Sequence, residues 1–292
     1  MTLLLGVLEQ GLIYAILALG VYITYRILDF PDLTVDSSFP LGAAVTAVLI
    51  TKGWSPLATL PVALAAGAVA GIVTGVIHVK FRIRDLLSGI IVMTALYSVN
   101  LRVAGKANVP IFNMQTLFKN DLVSALPKGM QPYVPMIILA LLVLVCKYVM
   151  DWFLSTKAGY LLRATGDNPN LVTSLAKDSG TVKIMGLAIA NGLVALAGGV
   201  MCQYQRYFDI SMGTGTMVIA LASVIIGTNM FKNARFMRPT FAVIIGSILY
   251  KGCVAIALSL GLVPTDMKLV TAVLFLIILI AGNGRKKVKR HA

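Results

Sequence analysis

The side chains that could do chemistry are few in this chain. It has two histidines, one glutamate and three cysteines, and the cysteines lie in or beside apolar runs with no Cys-x-x-Cys pair. No Gly-x-x-x-x-Gly-Lys-Ser/Thr run is present, and neither Gly-x-Ser-x-Gly nor His-Glu-x-x-His occurs. The sequence therefore predicts no catalytic centre, no metal site and no ATP site of the P-loop type.

Isolated polar residues within apolar runs are the remaining candidates, and the chemistry open to them is solute binding. Lys251 lies deep in an apolar segment. An ammonium at mid-bilayer costs roughly 2.5–3.5 kcal/mol, so we expect Lys251 to face a cavity or a polar partner, where it could meet an anionic group. Snorkelling to the interface is the alternative. The full set of candidate path residues is Asp29, Asp36, Tyr97, Asn100, Asn191 and Lys251.

Tyr97 belongs to a group of tyrosines that we expect at the outer ends of spans. The group comprises Tyr22, Tyr25, Tyr97, Tyr204 and Tyr207. An interfacial aromatic belt and a lining for a solute entrance both fit this pattern. All eleven acids except Glu9 lie in loops or near segment ends. This scarcity of intramembrane carboxylates argues against an enzyme and against a proton-driven carrier.

The amino-acid composition indicates that membrane-spanning helices position these residues. The chain has 292 residues, of which 58% are hydrophobic and 12% charged, whereas soluble domains carry about 25% charged residues. Apolar runs near twenty residues recur from end to end, so we predict one all-α, polytopic membrane domain over 1–292. It should have about eight full spans plus short or re-entrant helices. The apolar segments are Thr2–Leu28, Phe39–Thr51, Pro56–Val79, Leu86–Leu101, Val134–Phe153, Ile184–Tyr204, Thr216–Phe231, Pro239–Leu260 and Leu269–Gly282.

The net charge of +14 follows the positive-inside rule and does not indicate nucleic-acid binding. With the basic tail, residues 284–292, in the cytoplasm, 16 of the 25 lysines and arginines fall in the cytoplasmic segments 78–85, 147–183, 230–238 and the tail. The segment Phe39–Thr51 has only 13 residues, too few to cross about 30 Å. We therefore expect it to be re-entrant, with the N-terminus inside and the region Asp29–Thr51 near a translocation path.

Two further patterns concern helix packing. Gly67, Gly71 and Gly75 form a doubled Gly-x-x-x-Gly stripe that predicts close approach of another helix, and Gly198 and Gly199 predict the same in a later span. A weak internal repeat relates Tyr25–Phe30 to Tyr204–Ile210, and each of these segments precedes a turn and a short apolar segment. Transporters often carry such interrupted helices in related halves, although the match is short enough to arise by chance.

A polar stretch at about 155–183 interrupts the apolar runs and carries a motif. Residues 163–169 read RATGDNP, and a small-residue run ending at Ala197, Gly198 and Gly199 follows. Residues 11–20 read GLIYAILALG, and residues 219–227 read IALASVIIG. In this order, these segments resemble the permease family of ABC importers for branched-chain amino acids and monosaccharides. The turn at Asp29–Asp36 differs from the NFAHG turn of branched-chain permeases, so the chain looks closer to a branch grouped as tryptophan/tyrosine importers.

The resemblance implies a function and a set of partners. The chain would be the permease of an importer in the bacterial inner membrane. Two protomers, taken as identical, would form the path, a cytoplasmic ATPase dimer would bind ATP and Mg²⁺, and an extracytoplasmic binding protein would deliver the solute. The coupling loop would be residues 155–183, with a short helix over 170–177 after an Asn168–Pro169 cap. Its contact residues would be Arg163, Gly166, Asp167, Asn168, Pro169 and Leu175.

Several alternatives stay open at this point. The solute is expected to be an amino acid, with an aromatic one as a candidate, and a sugar or nucleoside is the alternative within the family. A secondary transporter or channel that works alone is the alternative of a different class. A membrane-embedded enzyme is disfavoured, because no His, Ser or carboxylate set converges in the sequence.

Overall fold

The chain folds into an all-α membrane protein, as predicted. The computed structural model describes residues 2–125, 127, 129–168, 172–173, 178–231, 237–259, 269–273, 275–277 and 280. Within these residues, seven helices are long and apolar enough to cross a membrane, and an eighth apolar helix is shorter. The predicted ninth segment, Leu269–Gly282, is described only in part, and the basic tail lies outside the described residues.

The long helices follow the predicted apolar segments closely, whereas two short strands were not predicted. The α-helices whose bounds lie within the described residues are α1 Thr2–Val21, α2 Val35–Thr51, α3 Pro56–Lys80, α4 Asp85–Ala104, α5 Asp121–Ser124, α6 Val134–Leu154, α7 Lys157–Asp167, α8 Ser179–Gln205, α9 Thr216–Met230 and α10 Pro239–Ser259. A π-helical stretch, Tyr22–Ile27, extends α1, and 3₁₀ turns precede α6 at Gln131–Tyr133 and α9 at Ile210–Gly213. Two short strands, β1 Asn108–Pro110 and β2 Tyr207–Asp209, pair antiparallel.

The packing defines two ends of the molecule. At one end, the π-helical end of α1 lies against α7, and the Gly180 region of α8 lies against Val79 of α3. At the other end, the β1–β2 ribbon lies beside the last turn of α8, and the Tyr204 hydroxyl donates to Glu9 near the start of α1 at 2.8 Å. The basic loops predicted to be cytoplasmic lie at the α7 end, so we assign that end to the cytoplasm.

Helix α2 corrects the re-entrant prediction. Near its start, the Thr34 hydroxyl lies 2.9 Å from that of Thr74, close to the cytoplasmic end of α3. Near its end, Ile50 packs in one cluster with Cys202 and Phe208 at the ribbon end. The helix has 17 residues rather than 13, and the connection 28–34 supplies the remaining length, so α2 traverses towards the outside.

The same packing places the N-terminus outside and Arg26 at the cytoplasmic end, which strengthens the positive charge bias of that end. Tyr22 also lies at the cytoplasmic end, where it lines a small cavity with Tyr160 of α7. The expectation that Tyr22 and Tyr25 sit at the outer ends of spans is therefore wrong for these two residues, because α1 runs inward.

Cysteine labelling tests this topology. In a chain with the exposed Cys253 changed to serine, Arg26→Cys should react with a membrane-impermeant thiol reagent only from the cytoplasmic side, and Lys52→Cys only from outside. Arg26 and Lys52 are both exposed, so each site is accessible. Reaction of both sites from outside would restore the re-entrant arrangement.

Helix α8 is the central helix of the bundle and is buried over most of its length. Helix α3 packs along it through the glycine stripe: a Cβ at Gly67 would collide with Asn191, one at Gly71 with the Leu187 carbonyl, and one at Gly75 with Ile184. On another face of α8, a Cβ at Gly198 would collide with the backbone of Phe39. Gly199 likewise lies against Thr46 of α2.

A glycine substitution tests the close approach of α3 to α8. Gly71→Leu should destabilise the protein by about 1–3 kcal/mol, because the helices must separate to admit the side chain. The readout is the thermal unfolding midpoint of the purified protein in detergent. Gly252→Leu is the matched control, since a Cβ at Gly252 of α10 meets nothing within 4 Å. Equal midpoints for the two variants would show that the stripe does not limit packing.

Candidate translocation and coupling sites

The starts of the two short helices, α2 and α9, meet at Asp36. Its carboxylate accepts hydrogen bonds from the backbone N–H of Met217 at 2.8 Å, the backbone N–H of Gly215 at 3.1 Å and the Thr216 hydroxyl at 3.1 Å. A carboxylate at a helix N-terminus satisfies free N–H groups and complements the helix dipole. Asp36, in the first turn of α2, therefore caps α9. We call this contact the Asp36 joint.

The two halves around this joint are built alike. Helix α1, with its π-helical extension, leads to Asp29 at φ +52°, and α8 ends at Arg206 at φ +66°. Each of these left-handed residues is followed by a short connection into a short helix, α2 running outward and α9 running towards the cytoplasm. Opposed interrupted helices of this kind surround the solute path in several transporter folds. The two left-handed residues do not occupy equivalent positions of the internal repeat in the sequence, so that repeat stays a prediction.

A buried polar network lies beside the start of α2. Asn191 of α8 donates to Asp32 at 2.7 Å and accepts from the Ser38 hydroxyl at 2.7 Å, while Asp32 also accepts from the Thr34 N–H at 2.9 Å. All four side chains are buried. The network fixes the break between α1 and α2 to the middle of α8. Sequence reasoning selected Asn191 but missed Asp32, because nothing in the sequence separates it from the neighbouring loop acids.

The other path candidates do not all converge. Asn100 of α4 is buried and donates to the Ser37 carbonyl at 3.0 Å, so it also borders the start of α2. Tyr97, by contrast, is half exposed on the outer surface of α4, and Asp29 is exposed at the cytoplasmic end of α1. The structure thus brings together Asp36, Asn100 and Asn191 but leaves Tyr97 and Asp29 apart from them.

Lys251 lies inside the protein rather than at the interface. It is 8% exposed, and its ammonium lies 4.0 Å from the centroid of the Tyr14 ring and 3.5 Å from the Gln10 side-chain oxygen. A cation over an aromatic face is attracted by the ring quadrupole, which offsets part of the cost of burial. Lys251 therefore has a polar partner, and it reaches the outer cavity described next only through Tyr14.

The outer cavity opens at the ribbon end. It has a volume of about 440 Å³ and is walled in part by Tyr14, Phe39, Gln205 and Tyr207, with Asn108 and Asp209 of the ribbon at its rim. The rings of Tyr14 and Phe39 are stacked with their centroids 6.2 Å apart. Phe39 lies on α2 one turn beyond Asp36, so the cavity ends close to the Asp36 joint.

Asp209 gives this cavity a formal charge. Burial raises its pKa, but the hydrogen bonds donated by the Ser211 hydroxyl, the Ser211 N–H and the Asn108 side chain outweigh burial and hold the pKa below its usual value. Asp209 is therefore ionised at neutral pH.

At the cytoplasmic end, α7 has two distinct faces. Gly159, Leu162 and Thr165 are buried against the bundle. The opposite stripe, which we call the α7 stripe, is exposed and consists of Lys157, Tyr160, Arg163 and Asp167. The sequence showed this stretch as a polar interruption, and its helical period was not recognised.

Gly166, which we predicted in the coupling loop, packs against another helix of the same chain. A Cβ here would collide with the Ile27 carbonyl, so Gly166 seats α7 against the end of α1 within the same chain. Asp167 and Asn168 are exposed, whereas Pro169 and Leu175 lie outside the described residues. Most of the expected helix over 170–177 is also outside them, although Val172 and Thr173 are helical. The predicted coupling loop therefore contains a glycine that packs α7 against α1.

A charged joint connects α6 and α10 beside α7. Asp151 pairs with Lys147 at 3.1 Å and Arg238 at 3.2 Å, and it accepts from the Thr240 hydroxyl at 2.6 Å. A cavity of about 180 Å³ adjoins this joint, with Tyr160 and Arg163 of α7 in its wall. Sequence reasoning missed Asp151, which stands near the end of an apolar run.

The described residues contain no group of three or more metal-ligating side chains. The geometry thus offers an outer cavity, a joint between two opposed short helices, and a cytoplasmic surface helix attached to the end of α1.

Comparison with known proteins decides the family. Residues 3–281 match the family described as "Branched-chain amino acid transport system / permease component". The chain belongs to this permease family. It is therefore a multi-pass protein of the bacterial inner membrane and a transport component, in a family that is not itself catalytic.

Named relatives of the permease carry different solutes. It is 43% identical to the tyrosine transport system permease protein of Clostridioides difficile R20291, over 98% of this chain and 94% of that one. It is 26% identical to the ribose import permease protein of Escherichia coli K12, over 77% and 68% of the two chains. A probable branched-chain amino acid transport permease protein of Methanocaldococcus jannaschii is 27% identical over 73% and 70%. No solved structure matches the permease.

Proposed function

We propose that the permease forms the membrane path of an ATP-driven importer for an amino acid, with tyrosine as the first candidate. The observation that carries the solute class is the 43% identity, over nearly the whole of both chains, to a tyrosine transport permease. The aromatic walls and the ionised carboxylate of the outer cavity are compatible with such a solute.

The proposed assembly has four kinds of component. Two copies of the permease enclose the path, an arrangement with the closed two-fold symmetry that is commonest among homo-oligomers. An ATPase dimer, which carries ATP and Mg²⁺, binds below, and a binding protein delivers the solute at the ribbon end. The α7 stripe supplies the ATPase contact, because an exposed tyrosine flanked by charged side chains is typical of a binding surface.

Coupling in this proposal runs through α7 and α1. Movement of the ATPase subunits displaces α7, and the close contact of Gly166 with Ile27 transmits the displacement to the π-helical end of α1. The chain then leads through Asp29 and Asp32 to α2 and the Asp36 joint, so a cytoplasmic movement reaches the starts of both short helices.

A sugar is the second candidate solute, favoured by the similarity to the ribose permease. Uptake by membrane vesicles that contain the whole transporter separates the two. We expect ATP-dependent accumulation of labelled L-tyrosine that unlabelled aromatic amino acids inhibit and ribose does not. Accumulation of ribose, with no uptake of any amino acid, would replace the first candidate by the second.

A further inference from the structure

The outer cavity has the size and walls of a small-molecule site. Its volume of about 440 Å³ lies within the range of roughly 300–1,000 Å³ that is typical of ligand pockets. Three of its walls are aromatic, namely Tyr14, Phe39 and Tyr207, and Met201 and Met212 add polarisable sulfur. Such walls suit a planar ring, which can stack on them or meet them edge-on.

The charge of the cavity wall favours some planar solutes over others. Of the described residues that line the cavity, Asp209 alone carries a formal charge. Ser211 and Asn108 occupy three of the roughly four acceptor positions of its carboxylate, which leaves capacity for another donor. A cationic donor gains more from this position than a hydroxyl does, because a charge-assisted hydrogen bond is about twice as strong as a neutral one.

We propose that the outer cavity is a recognition subsite for an aromatic amino acid, whose ammonium group binds the Asp209 carboxylate while its ring packs between Tyr14 and Tyr207. The side-chain amide of Asn108 lines the same space and supplies a donor for the carboxylate of the solute. The site lies at the end where solute arrives and within one helical turn of the Asp36 joint. This inference rests on the proposed function. It adds that the protein recognises the ammonium group of the solute, and that Asp209 in the outer cavity is the residue that binds it.

A cysteine-protection experiment measures occupancy of this cavity directly. Gln205 lines the cavity, is partly exposed and has no hydrogen bond to Asp209, so Gln205→Cys in the Cys253→Ser chain serves as the reporter. Cys146 and Cys202 are buried. The full transporter in spheroplasts is labelled with a membrane-impermeant maleimide in the presence of L-tyrosine, tyramine, 3-(4-hydroxyphenyl)propanoate or ribose.

We expect L-tyrosine and tyramine to slow labelling several-fold, because both carry the ammonium group. The propanoate lacks the ammonium group, and neither it nor ribose should protect. Adding Asp209→Asn should raise the L-tyrosine concentration for half-protection about tenfold. The asparagine keeps an oxygen for the Ser211 N–H, so the turn after β2 is retained. If that variant fails to fold, the four ligands on unchanged Asp209 decide alone.

Several results would overturn the subsite. They are protection by ribose in place of L-tyrosine, equal protection by the propanoate, and absence of protection by any of the four compounds. Uptake of L-tyrosine by the unmodified transporter, measured in parallel, tests the proposed function separately. Intact uptake without protection would refute the cavity subsite and leave the importer function standing.

Discussion

Replacing Asp36 with alanine should abolish transport and markedly destabilise the protein. The change removes the acceptor of two backbone N–H groups and one hydroxyl at the start of α9, inside the bundle. A buried donor that is left without its acceptor costs roughly 1–3 kcal/mol, and three donors lose theirs here. We expect a loss of about 3 kcal/mol or more in the free energy of unfolding, and uptake below detection.

The measurements are the unfolding midpoint in detergent and solute uptake in vesicles. Asp36→Asn is the matched control, because its side-chain oxygen still accepts a hydrogen bond from Met217, whereas its NH₂ group cannot accept one. This variant should fold and retain partial uptake. A protein with alanine at this position that is as stable and active as the wild type would show that the Asp36 joint does not hold the two short helices together.

Disrupting the α7 stripe should uncouple the permease from its ATPase while leaving it folded. Tyr160 is 61% exposed and Arg163 lies next to it on the same face, so neither is needed for packing. Truncating a central interface tyrosine costs more than about 2 kcal/mol at a binding hot spot, a loss of roughly thirtyfold in affinity. The double variant Tyr160→Ala, Arg163→Glu should therefore lose the ATPase during purification and lose uptake.

Tyr148→Ala is the control for this experiment, since Tyr148 is 62% exposed but lies within the α6 span. It should retain both the ATPase and uptake. Wild-type uptake in the double variant would refute the assignment of the α7 stripe as the ATPase contact. Gly166→Trp would test a different feature, because it forces α7 away from Ile27 and disturbs the bundle itself.

The sequence predicts the spans well for a simple physical reason. Long apolar runs have one stable structure in lipid, since a helix satisfies its own backbone groups. The glycine stripe of α3 likewise indicates close packing, because its spacing places all three glycines on one face. Family resemblance added the transport function through ordered motifs, and the family match confirms it.

The predictions from sequence failed where contacts between distant segments matter more than the length and polarity of a single segment. The prediction missed the start of α2 because Val35–Ser38 follow a polar turn. Contacts with α4 and α8 hold these residues inside the bundle, where they and the connection 28–34 lengthen the segment that crosses the membrane. Tyr22 was placed on the wrong side for the same reason. Asp32, Asp151 and Asp209 became recognisable as functional candidates only through partners far away in the sequence, such as Asn191 and Arg238.

The most direct test of the central claim is affinity purification of the tagged permease from native membranes in mild detergent, with its partners identified by mass spectrometry. We expect a P-loop ATPase in amounts similar to the permease. Recovery of the permease alone, under conditions in which a known ABC importer from the same membranes stays intact, would contradict the proposed function and favour a carrier that works without an ATPase.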